Sequence, residues 1–109
     1  MKLYHNFNKY ASAYTLARRK IYNIHEVMHM SVKDAVAQRF MDICKERDMT
    51  INELADCSGV TPSTAYSMVD KSRRNISITT IKKFCDGLDM SLGEFFSAPV
   101  FDHLDQEIR

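Results

Sequence analysis

The stretch Thr50-Ile51-Asn52-Glu53-Leu54-Ala55-Asp56-Cys57-Ser58-Gly59-Val60-Thr61-Pro62-Ser63-Thr64-Ala65-Tyr66-Ser67-Met68-Val69 decides how this chain folds. Thr50 and Glu53 form a capping box: a hydroxyl accepts from an amide in the first turn while a carboxylate reaches back to the cap amide. A helix is therefore expected over about 51–57. Ser58-Gly59-Val60 breaks it after barely two turns, and Gly59 is the residue that takes positive φ without a Cβ penalty. Thr61 and Pro62 restart a helix at once, over about 62–69. Thr is a favoured cap, and Pro suits a first helical position because its missing amide hydrogen has no partner there. Ala55 falls where the two helices approach most tightly, and Leu54, Val60, Ala65 and Met68 face a core. Ser63, Tyr66, Ser67 and Asp70 are left on the outer face of the second helix.

Working outward, Ser31 and Asp34 resemble a capping box, and Val36, Phe40, Ile43 and Cys44 recur at helical spacing, so a helix is expected over about 32–47. Asp48 and Met49 interrupt it. Downstream, Asp70 to Ile76 is polar and basic and reads as a loop. Ser77 then caps a helix with Ile78, Ile81, Phe84, Cys85 and Leu88 inward, ending near Leu88. Ser91 with Glu94 makes a further capping box ahead of Phe95-Phe96. Pro99 opens a last helix carrying Phe101, Leu104 and Ile108 on one face. Upstream, Tyr14, Ala17, Ile21, Ile24 and Met28 share one helical face. No strand pattern, repeat or low-complexity tract competes with these assignments.

The chain of 109 residues has room for one ordinary domain, and three Gly and two Pro leave long stretches for helices, so the class is all-α. Its near-neutral net charge conceals segregation. Residues 1–30 hold Lys2, Lys9, Arg18, Arg19 and Lys20 against Glu26; residues 61–83 hold Lys71, Arg73, Arg74, Lys82 and Lys83 against Asp70. The last 26 residues set six acids against Arg109. Local charge governs attraction to phosphate, so a basic centre points to nucleic acid despite the neutral whole.

Three cysteines, Cys44, Cys57 and Cys85, cannot pair completely and lie in apolar-periodic segments, which points to a reducing compartment and a cytoplasmic location. The apolar runs are too short to cross a membrane, and the N-terminus lacks a secretory pattern. His25 and His29 stand at i, i+4 without a third ligand nearby, and the cysteines lack zinc-site spacing. No phosphate-binding Gly loop or nucleophile motif is present. The reading is therefore a non-enzyme without metal, cofactor or evident small-molecule ligand.

Two short helices joined by a Gly-containing turn make a helix-turn-helix unit, whose second helix can enter a major groove. Met49 to Ala55, Ser58-Gly59-Val60-Thr61, Ile81 to Leu88 and Ser91 to Phe96 together resemble the Cro/phage-repressor-type (XRE-like) helix-turn-helix family of bacterial and phage regulators. The resemblance covers most of residues 32–97. It implies a compact five-helix phage-repressor-like DNA-binding domain over 31–97, with a basic N-terminal extension over 1–30 and a short acidic amphipathic helix over 98–109. It also implies double-stranded DNA as partner and a role as a transcriptional repressor; a homodimer on DNA is expected from the apolar stripe of Phe101, Leu104 and Ile108, which either meets a second subunit or closes the core.

By the same resemblance Pro62, Ser63 and Ser67 occupy base-reading positions, with Tyr66 beside them. Thr50, Ile51, Thr61, Lys71, Arg73, Arg74 and Asn75 fall where the family approaches the phosphate backbone. Two departures stand out: Ile51 replaces a common phosphate-contacting Gln, and Lys71 stands where a Gly often ends the second helix of the motif. The competing expectation is an antitoxin-like or adaptor protein that keeps the fold and binds a protein partner through its acidic C-terminal helix.

Overall fold

The computed structural model describes residues 30–108. Five α-helices follow one another there: α1 (Val32–Glu46), α2 (Ile51–Ser58), α3 (Pro62–Val69), α4 (Ile78–Gly87) and α5 (Leu92–Phe96). A 3-10 turn, Pro99–Asp102, completes the series. Each α-helix opens on a hydroxyl that accepts a first-turn amide: Ser31 from Asp34, Thr50 from Glu53, Thr61 from Thr64, Ser77 from Thr80 and Ser91 from Glu94. Thr50 and Ser91 complete reciprocal capping boxes with Glu53 and Glu94, which satisfies donors that a helix start otherwise leaves open.

Gly59 ends α2 in the left-handed conformation, φ 68°, as its position in the turn requires. Two other junctions do the same without glycine, at Asp48 and Asp89. The Met49 amide reaches back to the Cys44 carbonyl at 2.9 Å and the Met90 amide to the Cys85 carbonyl at 3.0 Å, the long bond that closes a helix end. A short echo accompanies this, Asp48-Met49-Thr50-Ile51-Asn52-Glu53-Leu54 against Asp89-Met90-Ser91-Leu92-Gly93-Glu94-Phe95. Both copies are a helix exit followed at once by a capping box.

The apolar stripes of α1, α2, α3, α4 and α5 meet in one core containing Val36, Phe40, Leu54, Ala65, Phe84 and Phe95. The Phe40 ring lies 5.1 Å from that of Phe84 and 4.3 Å from that of Phe95, tilted contacts suited to the ring quadrupole. Arg39 ties α1 to α5, donating to the carbonyls of Phe95 at 2.9 Å and Glu94 at 3.2 Å. Gly87 brings the end of α4 against the end of α2: a Cβ there would collide with the Ser58 hydroxyl and lie 2.8 Å from the Cys57 carbonyl oxygen.

Three expectations require correction. Ile78, placed inward from the periodicity, is 57% exposed, because it is the first residue of α4 and lies past the packed stripe that begins at Ile81. Cys57 is exposed, its thiol donating to the Leu54 carbonyl, whereas Cys44 and Cys85 are buried. The C-terminal acidic helix over 98–109 is confined to the 3-10 turn. Beyond it, Leu104 forms a parallel bridge with Met30, and the Asp105 amide donates to the Met30 carbonyl at 3.1 Å, so the backbone bonds across the domain instead of along a helix. The expected stripe is split accordingly: Phe101 packs against the core and Ile108 is 88% exposed.

The stripe from Tyr14 to Met28, the His25–His29 pair and the basic residues upstream lie outside the described residues. Among the described residues, no helix is long and apolar enough to cross a membrane, and no group of His, Cys, Asp or Glu could hold a metal ion.

Candidate nucleic-acid interface

The surface in question is the outer side of α3 and the loop that follows it. Ala55 and Ala65, both wholly buried, let α2 and α3 pack closely, and the Val60 amide bonds to the Ala55 carbonyl at 3.1 Å to set the turn between them. Ala65 and Met68 point α3 into the core. Pro62, Ser63 and Tyr66 are thereby exposed, with Tyr66 51% accessible, while Ser67 is half-buried.

The hydroxyls at the start of α3 form a chain. Thr61 caps the helix, and its oxygen lies 3.1 Å from the Ser63 hydroxyl and 3.0 Å from that of Thr64. Ser63 thus has an internal hydrogen-bond partner. Thr50 spends its hydroxyl oxygen and amide on the capping box, and Ile51, half-buried against the core, has no side-chain donor. At the start of α2, main-chain amides in the positive field of the helix end, the Thr50 hydroxyl proton and the exposed Asn52 amide are the donors open to a phosphate.

The end of α3 explains Lys71. Asp70 caps the helix in an extended conformation, φ −74° and ψ 117°, so no left-handed residue follows and no glycine is required. The Asp70 carboxylate turns the chain instead, accepting from the Ser72 amide at 2.9 Å and the Ser72 hydroxyl at 2.8 Å. Those bonds, led by the Ser72 amide, hold its carboxyl below the usual carboxylate range.

Arg73 and Arg74 are both exposed. The Arg73 guanidinium lies 4.0 Å from Asp70, and that of Arg74 lies 3.9 Å from Asp34 at the start of α1. Solvated pairs of this kind are worth at most about 1 kcal/mol, so a phosphate can displace the carboxylates. Lys71 and Asn75 are exposed on the same loop. Ser67, Arg73, Asn75 and Ser77 line a cleft between α3 and the first turn of α4. Another cleft, lined by Asp86, Asp89 and Glu94, also holds Lys82, which pairs with Asp86.

One residue that sequence reading passed over belongs with this surface. Lys33 is 2% exposed, and its ammonium donates to the Asp70 main-chain carbonyl at 3.0 Å. Its spacing from Val36, Ala37 and Phe40 places it on the apolar face of α1, which was the available signal.

A family model described as the Cro/C1-type HTH DNA-binding domain matches residues 39–99. Comparison with the curated proteins and with the solved structures gave no match.

Proposed function

The chain belongs to the Cro/C1-type helix-turn-helix DNA-binding domain family, and from that premise we propose that it is a cytoplasmic, sequence-specific regulator that represses transcription by binding operator DNA as a homodimer. The observation that carries this reading is the pairing of an uncovered α3 face with a basic loop. Pro62, Ser63 and Tyr66 are open to solvent, and Arg73 and Arg74 stand exposed immediately beyond the helix. Phosphate contacts from the loop would set register, and side chains of α3 would read base edges in the major groove.

Ser63 and Ser67 discriminate bases less sharply than Arg, Asn or Gln would. Tyr66, bridging water and local DNA shape therefore carry much of the specificity. In a dimer, two copies of α3 reach half-sites about one helical turn apart, which makes the operator a pseudo-palindrome.

A titration of the full chain against random duplex DNA at about 50 mM salt, repeated at about 200 mM, tests the reading. Binding that weakens steeply with salt is expected. A chain that shifts no duplex even at the lower salt is instead an adaptor or antitoxin-like protein.

A further inference from the structure

Lys33 is the buried charged side chain among the described residues. Burial pushes its pKa down; the neighbouring carboxylates of Asp34 and Asp70 act the other way, and Arg74 adds to the lowering. An apolar residue would fill this place on α1 at less cost in desolvation. What lysine adds is a directional donor, aimed at the last cap of α3. The next residue, Asp34, faces Arg74 at 3.9 Å. Lys33 therefore anchors the start of the α3–α4 loop, while the solvated Asp34–Arg74 pair adds only a weak contact that phosphate can displace.

We propose that Lys33 is a positioning residue for DNA recognition: it locks the C-terminal end of α3 and the loop from Asp70 to Asn75 onto α1, so that reading face and phosphate-contacting loop keep one geometry. The proposal rests on the function proposed above. Lys33 makes no DNA contact in this scheme, because its ammonium is buried and already committed to the Asp70 carbonyl. Without it, the Asp70 carbonyl keeps only the Arg73 amide of its own loop, at 3.1 Å, and the bond that ties the end of α3 to α1 is gone. The exposed arginines still reach phosphates from a displaced loop, whereas base contacts, which require fixed distances, do not survive the shift.

The test compares full-length wild type, Lys33→Met and Lys33→Gln on a duplex selected by the wild type and on random duplex, at several salt concentrations. Lys33→Met is expected to bind the selected site roughly tenfold more weakly, with random-duplex affinity within about twofold and the salt slope unchanged. Lys33→Gln, whose amide can still donate, recovers part of the loss. Equal weakening on both duplexes with a shallower salt slope would identify a direct phosphate contact and overturn the inference. Unchanged discrimination in Lys33→Met would do so too. A wild type that selects no duplex overturns the underlying function and this inference with it.

Where Lys33→Met melts below the assay temperature, nitrogen-detected NMR of the lysine ammonium groups in the wild type decides. Lys33 is expected to show slowed proton exchange, free and DNA-bound. Exchange as fast as that of Lys71 in both states would contradict a locked ammonium.

Discussion

Asp48 and Asp89 hold the same left-handed backbone conformation, φ 53° and 56°, at the exits of α1 and α4. Each is followed by Met and then by the hydroxyl that caps the next helix. The conformation strains any residue with a Cβ, although aspartate tolerates it better than most.

Asp48→Gly and Asp89→Gly are each expected to stabilise the domain by roughly 0.5–1 kcal/mol, since glycine takes this conformation without steric cost. Asp48→Val should destabilise, because a β-branched residue is poorly accommodated there. Thermal melts of the three variants check the sign of each change. DNA affinity at temperatures well below melting should be unaffected by Asp89→Gly, which changes no residue assigned to DNA, whereas Asp48→Gly removes a negative charge two residues before the α2 cap and should strengthen binding slightly.

Gly87→Ala is expected to cost about 1–3 kcal/mol by overpacking, because the new methyl meets the Ser58 hydroxyl and the Cys57 carbonyl. Adding Ser58→Ala should recover part of this, since it removes the flexible obstacle and leaves the backbone one. Denaturant unfolding of the single and double variants measures both steps. A double variant no better than Gly87→Ala would place the whole clash on the main chain.

Helix starts were legible in the sequence because their chemistry is local: Ser31, Thr50, Thr61, Ser77 and Ser91 each cap with atoms three residues away. Gly59 and the inward faces around Phe40, Leu54 and Phe84 were legible for a similar reason, periodicity being a property of the element itself. What escaped depends on distant partners. Burial of Lys33 is completed by a carbonyl 37 residues away. The end of the last helix is set by Met30 pairing with Leu104, across nearly the whole described chain. In the candidate site, sequence placed Tyr66 and the arginines on the surface. The internal bonds that Ser63 shares with Thr61, and the turn that Asp70 makes over Ser72, became visible only in three dimensions.

Replacing both Arg73 and Arg74 with Ala should weaken binding to all duplexes and flatten the dependence on salt by about 0.9 for each lost phosphate contact, leaving site preference in place. Affinity measured over a range of salt concentrations on selected and random duplexes checks this. A changed preference with the original slope would mean that these side chains read bases.

The central claim is that the exposed face of α3 reads DNA sequence, and selection of bound sites from a random duplex pool tests it most directly, using wild type and a Ser63→Ala/Tyr66→Ala/Ser67→Ala variant in parallel. Wild type is predicted to enrich one pseudo-palindromic site with half-sites about one helical turn apart. The triple variant should stay folded by thermal melting, keep weak salt-sensitive binding, and enrich a different site or none. Enrichment of the wild-type site by the triple variant would contradict the claim and move the reading surface away from α3.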